Sequence, residues 1–226
     1  MDYSLMKNNK VYIAGEVTSE PKFSHQVYDE DFYEFDLKVT RLSDSYDIIP
    51  VTVGEKLFKN LNIKIGDKIS GNGQFRSYNK LEDGKSKLVL TVFLREILPY
   101  EEKENPNVIE ITGYVCKEPV FRTTPFNREI SDVLLAVNRS YNKSDYLPCI
   151  AWGRNARFVK NFKIGDKVVV SGRIQSREYQ KKVNNELVTR IAYEVSLNKI
   201  ELVSEEDVLV DTIETSVGSL ENYYVR

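Results

Sequence analysis

The strongest constraint on the fold is an internal repeat that divides the chain into two similar halves. The segment VYIAGEVTSEPKFS at 11–24 returns as IEITGYVCKEPVFR at 109–122, at an offset of 98 residues. Later in the chain, IGDKI at 65–69 returns as IGDKV at 164–168, so one residue has been gained between the two matches. Matches that keep their order, with only small insertions between them, indicate a duplicated domain.

The repeat sets the expected domain boundaries. We expect a first domain at 1–98, a linker at 99–106, a second domain at 107–203 and an acidic C-terminal tail at 204–226. The linker reads PYEEKENP, and it is highly charged with a proline at each end, which is typical of an extended connector.

Within each half, the hydrophobic pattern is that of β-strands. Apolar residues alternate with residues of the opposite face at 33–39 and again at 133–137, which is the period of a half-buried strand. One short helix per half is expected between the third and fourth strands, at about 54–62 and 153–162. A glycine interrupts each first strand, as at a bulge or tight bend. These features predict an all-β fold of two tandem OB-fold barrels, each a five-stranded Greek-key barrel with one short helix, although the pattern alone leaves other small barrels open.

The charge of the chain is unevenly distributed. Its formal net charge is −2, but residues 104–200 carry 16 lysine and arginine residues against 10 aspartate and glutamate residues. Residues 201–226 carry 1 base against 7 acids and therefore hide a basic second half from the total. A basic domain favours a polyanionic ligand, and an acidic tail could compete with that ligand for the domain.

Composition and motifs argue against several other classes of protein. With 41% apolar and 29% charged residues, the chain is expected to be globular, and without any stretch of about 18 apolar residues it is expected to be cytoplasmic and to make no membrane contact. Cys116 and Cys149 lie in apolar runs without a CxxC pair, and we interpret them as buried, reduced thiols. The lone His25 is interpreted as a loop residue, and no P-loop or catalytic cluster is evident. We therefore predict a binding protein with no enzymatic activity, no cofactor and no metal.

One segment alternates aromatic rings with cationic groups. It reads VNRSYNKSDYLPCIAWGRNARF at 137–158 and contains the only tryptophan of the chain. A hydrophobic core would take the rings but not the charges, and a solvated face would take the charges but not the rings. Unpaired nucleotides present flat base faces and one phosphate charge each, so both groups suit them; stacking contributes about 1–3 kcal/mol per base. The segment therefore favours a single-stranded nucleic acid as ligand.

A longer run of motifs resembles a known family. The segments NVIEITGYVCKEPVFRTTPFNREISDVLLAVNRSYN, YLPCIAWGRNARF and KIGDKVVVSGRIQSREYQ resemble, in that order, the OB domain of bacterial single-stranded DNA-binding proteins. The resemblance covers nearly all of 107–201, whereas 8–98 matches more loosely. The two-copy arrangement is similar to family members that carry two OB domains in one chain.

The resemblance also implies site residues in the second half. The stacking aromatics of the family fall on Tyr141, Tyr146, Trp152 and Tyr179. The neighbouring bases are the expected phosphate contacts, namely Arg139, Lys143, Arg154, Arg157, Arg173, Arg177, Lys181 and Lys182. Structural alternatives remain open: Trp152 could belong to the barrel core, Tyr146 could pack locally, and Arg154 and Arg157 could form a solvated helix face.

In the first half the same family positions are mostly occupied by other residue types. Leu42, Gly54 and Lys80 stand where the second half has rings, so the stacking platform looks dismantled there. Nearby rings and bases could still form a weaker site. Its expected members are Arg41, Tyr46, Arg76 and Tyr78.

Together these features predict a non-enzymatic protein that binds single-stranded DNA with little sequence preference. The resemblance implies a nucleoid-associated role in DNA replication, recombination or repair, and a homodimer that brings four OB folds together. The resemblance also implies that the tail recruits replication or repair proteins. However, the chain ends in YYVR, without the Ile-Pro-Phe tip of the family. Two alternatives stay open: an OB module of a primosome or recombination accessory factor that mainly contacts proteins, and single-stranded RNA as the ligand.

Overall fold

The structure, a computed structural model, describes residues 7–43, 45–59, 62–82, 84–183 and 186–204. Strands and two short helices follow one another along this part of the chain. They are β1 (Asn9–Val17), β2 (Lys22–Val27), β3 (Glu30–Thr40), β4 (Tyr46–Gly54), α1 (Glu55–Lys59), β5 (Lys68–Glu82), β6 (Lys85–Leu98), β7 (Asn107–Val115), β8 (Val120–Thr123), β9 (Glu129–Arg139), β10 (Lys143–Trp152), α2 (Arg154–Val159), β11 (Lys167–Val183) and β12 (Glu186–Leu202). The predicted acidic tail, apart from its first residue, lies outside the described residues. Neither described helix is long and apolar enough to cross a membrane.

Five strands of the first half close into a barrel. β1 pairs antiparallel with β5, β5 pairs antiparallel with β6, and β6 runs parallel to β4. β4 then pairs with β3, and β3 returns to β1 to close the ring. In the second half, β7, β11, β12, β10 and β9 repeat this circuit. With one helix between the third and fourth barrel strands, each half has OB-fold topology, and the predicted all-β tandem arrangement is confirmed.

Each half also contains a sixth strand that was not predicted. β2 pairs with β3, and β8 pairs with β9, as short hairpin arms at the two ends of the sheet order. Most residues of both arms are exposed whichever way they point. The arms therefore lack the apolar alternation by which a strand is recognised in a sequence. The helices are shorter than predicted, because α1 spans five residues and α2 spans six.

The repeat is visible in the barrel cores. Leu37 and Leu135 are repeat equivalents, and both are fully buried. Cys149 takes the core position that Val51 has in the first half. Burial raises the pKa of the Cys149 thiol, which keeps it protonated and unreactive. Cys116 is half-buried, and both cysteines are free thiols.

The two halves share one continuous sheet because β1 pairs antiparallel with β7. Val11 lies opposite Ile109 at the centre of this pairing. Asn9 lies opposite Ile111, and Ile13 lies opposite Asn107, so repeat-equivalent residues exchange places across the centre. The pairing therefore relates the two halves by an approximate two-fold axis. We call this junction between the halves the seam.

Buried carboxylates reinforce the seam on both sides of that axis. Asp47 accepts hydrogen bonds from the backbone N–H of Ser176 at 2.7 Å and from its hydroxyl at 3.0 Å. Its repeat equivalent, Asp145, accepts from the backbone N–H of Ser77 at 2.7 Å. Each carboxylate is almost completely buried and reaches into the other half of the chain. The halves are therefore joined by specific polar contacts in addition to the shared sheet.

Candidate nucleic-acid interface

Strand register places two of the predicted stacking residues on the outer face of the second barrel. Tyr146 and Trp152 both lie on β10 at an even spacing and therefore project to the same side. The Trp152 indole donates its Nε1–H to Ser196 Oγ on β12 at 3.2 Å, so β12 contributes to this face. Ser196 lies opposite Arg173 on β11, which extends the face to a third strand. Trp152 is 37% exposed, so it does not belong to the barrel core, which was the structural alternative.

The long strand β11 carries the remaining members of this face. Arg173, Arg177 and Tyr179 are separated by even numbers of residues along this strand and therefore project to the same side of the sheet. The Arg177 guanidinium lies 5.9 Å from the centroid of the Tyr179 ring, which is within cation–π range. Glu194 Oε1 lies 3.6 Å from Arg177 Nε and offsets part of that charge. We call the outer face formed by Tyr146, Trp152, Arg173, Arg177 and Tyr179 the platform.

Two predicted lysines lie further along the same strand. Lys181 and Lys182 are exposed near the end of β11, in its hairpin with β12. Exposed lysines are common in hairpins of this kind. Their placement therefore does not test the prediction that they contact phosphates.

Tyr141 lies in the turn between β9 and β10. The turn comprises the three residues 140–142, because Arg139 pairs with Lys143. The φ of 61° at Tyr141 and the φ of 54° at Asn142 are both positive. Positive φ is uncommon for residues other than glycine and asparagine, and it is especially uncommon for a bulky residue such as tyrosine. The Tyr141 ring is 85% exposed, and Arg139 and Lys143 pair across the hairpin beside it. The turn therefore holds a ring in solvent next to two cationic residues.

Helix α2 carries two further predicted phosphate contacts. Arg154 and Arg157 are both exposed. The Arg157 Nε lies 2.5 Å from Glu129 Oε2, so its charge is balanced by an acid on β9. On the same helix, Phe158 is exposed but packs edge-to-face against Phe162 with ring centroids 4.9 Å apart. Arg157 thus has an acid beside it that offsets its charge.

One basic residue near the platform was missed by the sequence analysis. Arg122 lies on β8 and donates to Asp132 on β9, with Nε 2.7 Å from Oδ2. The hydrogen bond and charge of Asp132 raise the pKa of Arg122 above its usual value, against a smaller effect of burial. Because β8 has no alternation, the sequence contained no signal that would have placed Arg122 here.

In the first half, two predicted site residues are engaged in packing. Arg41 donates two hydrogen bonds to Asp47, at 2.8 and 2.6 Å, and a longer one to the backbone carbonyl of Ser176 at 3.3 Å. Arg41 is therefore part of the seam. Tyr46 is about half exposed, and the Lys38 ammonium lies 4.8 Å from its ring centroid.

The other two first-half residues, Arg76 and Tyr78, line a groove on the outer face of the first barrel. Its volume is about 580 Å³. Four rings that were not predicted line the same groove. These are Phe23, His25, Phe32 and Phe93. Arg139 from the second half also lines the groove, which we therefore call the seam groove.

These rings alter the expectation of a dismantled first-half platform. His25 is a strand residue on β2 rather than a loop residue, and its ring stacks on Phe32 with centroids 5.0 Å apart. The Phe32 and Phe93 centroids are 5.6 Å apart. The first half thus has an aromatic cluster, but it lies at positions different from those of the family motif.

Arginine and glutamine have also exchanged places between the two halves. Gln74 and Arg76 in β5 correspond in the repeat to Arg173 and Gln175 in β11. In each half the arginine donates to the glutamine, at 2.7 Å in the first and 3.3 Å in the second. Both halves therefore retain an arginine in this region of the strand, although a position-by-position comparison of the two repeats does not show it.

Known proteins resemble the second half. Residues 106–203 match the family described as "Single-strand binding protein family". The match covers the second barrel and less than half of the chain. Among curated relatives, the "Single-stranded DNA-binding protein A" of Bacillus subtilis (strain 168) is 35% identical over 81 residues, covering 33% of this chain and 47% of the relative. The "Single-stranded DNA-binding protein" of Clostridium tetani (strain Massachusetts / E88) is 31% identical over 83 residues, covering 34% of this chain and 57% of the relative.

The chain thus spans about half the length of the curated relatives that it matches. A likeness over most of the chain is found among solved structures. The wild-type single-stranded DNA binding protein from Thermus aquaticus superposes with a TM-score of 0.70 at 19% identity, covering 87% of this chain and 93% of that chain. At this identity the likeness establishes the fold of both halves. Among the described residues no group of three or more potential metal ligands is found.

Proposed function

We propose that the protein binds single-stranded DNA with little sequence preference, and that the platform is its principal binding surface. The observation that carries this proposal is the common outward direction of Tyr146, Trp152 and Tyr179 with Arg173 and Arg177. Rings of this kind stack on any base, because every base has a π-face, and the cations follow the backbone. The family of the second half and the names of its curated relatives support the same ligand.

The remaining predicted residues extend the platform in two directions. Tyr141 would continue it at the β9–β10 turn, with Arg139 and Lys143 as cations on the opposite side of that hairpin. Lys181 and Lys182 would continue it along the β11–β12 hairpin. Arg154 and Arg157 would contact phosphates at its edge. We rank Arg157 below Arg154, because Glu129 already balances its charge.

The platform is tested by titration with oligo-dT. We expect oligo-dT to quench Trp152 fluorescence and its affinity to fall as salt rises, since phosphate contacts release counterions. Trp152→Ala is expected to weaken binding of a fluorescently labelled oligo-dT about tenfold, which corresponds to about 1.4 kcal/mol of stacking. Tyr100→Ala is the matched control, because Tyr100 is a similarly exposed ring in the linker. Binding that is insensitive to salt, or equal losses in both variants, would contradict the proposal.

The cellular role and the assembly of the protein follow as further proposals. A sequence-tolerant single-strand binder would act in DNA replication, recombination or repair, with no enzymatic step of its own. A homodimer would bring four OB folds together, and light scattering of the purified chain would measure its mass. Parallel titrations with dT and rU oligomers would compare DNA with RNA, since stacking alone does not distinguish the two sugars.

A further inference from the structure

Three arginine side chains come close together at the seam groove: Arg76 and Arg139 line it, and Arg95 lies beside it against the Phe93 ring. The guanidinium carbon of Arg76 lies 4.4 Å from the centroid of the Phe93 ring, and that of Arg95 lies 4.9 Å from it. The Phe93 ring therefore holds two cations close together by cation–π attraction. Arg139 reaches the same groove from the second half, together with Lys143. The cluster exists only because the seam brings the β9–β10 hairpin against the first barrel.

The charges in this cluster act on one another. Burial, followed by the charges of Arg139 and Arg95, lowers the pKa of Arg76 to about 10. Burial and the charge of Arg139 likewise lower the pKa of Arg95. Mutual repulsion of this kind raises the free energy of the empty groove, and a bound anion relieves it.

Nearby acids compensate the cluster only in part. Asp145 lies close to Arg76, but it already accepts from the Ser77 backbone and pairs with Arg139 at 3.2 Å. Glu34 accepts from the Ser24 hydroxyl at 2.6 Å and from the Tyr78 hydroxyl at 3.1 Å. Both carboxylates therefore have other hydrogen-bond donors to satisfy.

Arg76 also retains an unused donor. One of its terminal nitrogens donates to Gln74 Oε1 at 2.7 Å. Its Nε is buried, and within the described part of the chain it has no hydrogen-bond partner. A buried donor without an acceptor is unfavourable, so the protein itself leaves this guanidinium incompletely compensated.

We propose that the seam groove is a second binding site for the phosphodiester backbone of a single strand, with Arg76, Arg95 and Arg139 as its phosphate ligands and His25 as a base contact. The proposal rests on the proposed function, because the strand would be the same kind of ligand that the platform takes. It adds that each half contributes to a site that neither could form alone. The groove is large enough for about one nucleotide at a time, judged by its volume of about 580 Å³.

Arg95→Gln and His25→Ala test this site in the full-length chain. Both side chains are exposed, so we expect both variants to fold. Thermal unfolding, monitored by circular dichroism, verifies that they are folded. For Arg95→Gln we expect the slope of log affinity against log salt for oligo-dT to become shallower by about 0.7, the value for one phosphate contact on a single strand. For His25→Ala we expect about tenfold weaker binding at fixed salt. Lys64→Gln, an exposed lysine of the first half that does not line the groove, is the charge-matched control and should match the wild type.

Trp152 fluorescence separates failure of this inference from failure of the proposed function. If oligo-dT quenches Trp152 normally while Arg95→Gln and His25→Ala bind like Lys64→Gln, the seam groove is not a binding site. If the wild type neither binds oligo-dT nor shows quenching, the proposed function itself is wrong. If Arg95→Gln weakens binding of duplex DNA as much as that of oligo-dT, the groove is a general polyanion site and the assignment to single strands is overturned.

Discussion

At the scale of single residues, the most constrained groups are the two buried carboxylates of the seam. Burial by itself would raise the pKa of Asp47, but hydrogen bonds from Arg41 and Ser176 and the charge of Arg41 outweigh it, so the pKa lies below its usual value. A depressed carboxyl pKa stabilises the folded state above the unfolded-state pKa of about 3.9, and this contribution is lost as pH falls through the folded-state pKa. Asp47 is thus both a structural link between the halves and an acid-sensitive one.

Replacing Asp47 should have a large effect that depends on pH. We expect Asp47→Asn to lower the free energy of unfolding by about 3 kcal/mol at neutral pH, since removal of the buried carboxylate charge leaves the half-buried Arg41 guanidinium uncompensated. The difference from wild type should narrow below about pH 4, where the carboxyl of the unfolded chain becomes protonated, and should vanish as pH falls through the lower folded-state pKa. Urea denaturation at several pH values measures this. Asp132→Asn, which removes a half-exposed pair with Arg122, is the control and should change stability by less than about 1 kcal/mol.

At the scale of elements, the β9–β10 hairpin combines an unfavourable turn residue with an exposed ring. Tyr141 has a positive φ that glycine or asparagine adopts more readily, and its ring is almost fully exposed. Strained residues persist where the surrounding structure enforces them, and they are often found at binding sites. The hairpin therefore offers a test in which stability and binding change in opposite directions.

Tyr141→Gly is expected to stabilise the protein slightly while weakening its binding of oligo-dT. The gain should be about 0.5–1 kcal/mol, because glycine removes the positive-φ strain, and the loss of affinity should be about tenfold, because a stacking ring is removed. Asn142→Gly is the matched control, since it changes the neighbouring positive-φ position without removing a ring. Thermal unfolding of both variants measures the change in stability, and oligo-dT titration measures the change in affinity. Unchanged affinity in Tyr141→Gly would exclude this ring from the binding surface.

At the scale of the whole molecule, the seam makes the two barrels dependent on each other. The β1–β7 pairing and the contacts of Asp47 and Asp145 all cross from one half to the other. Elements that share a sheet and buried polar contacts tend to unfold together. The seam also positions Arg139 beside the arginines of the first barrel, so folding and binding depend on the same junction.

We therefore expect a single thermal transition for both halves. Trp152 fluorescence, which reports on the second half, and far-ultraviolet circular dichroism, which reports on all strands, should give the same midpoint. Asp47→Asn lies in the first half but should lower the Trp152 midpoint as well. Two separate transitions, or a Trp152 midpoint that Asp47→Asn leaves unchanged, would show that the halves unfold independently.

Much of the architecture was predictable because it depends on local patterns. Alternation with a period of two, as at Leu37 and Leu135, identifies strands and their inward faces wherever one face is buried. The same parity placed Arg173, Arg177 and Tyr179 on one side of a strand before their neighbours were known. The hairpin arms β2 and β8 were missed because most of their side chains are exposed and leave no such pattern.

The sequence by itself determined the duplication, the resemblance of the second half to a known family and the common side of Arg173, Arg177 and Tyr179, because each follows from residue order and strand parity. Only the tertiary structure decided what meets at the seam. Arg139 approaches Arg76, and Asp47 reaches Ser176, because β1 pairs with β7 across a separation of about one whole domain. Contacts at that range depend on how two finished barrels dock, and no local periodicity encodes that docking.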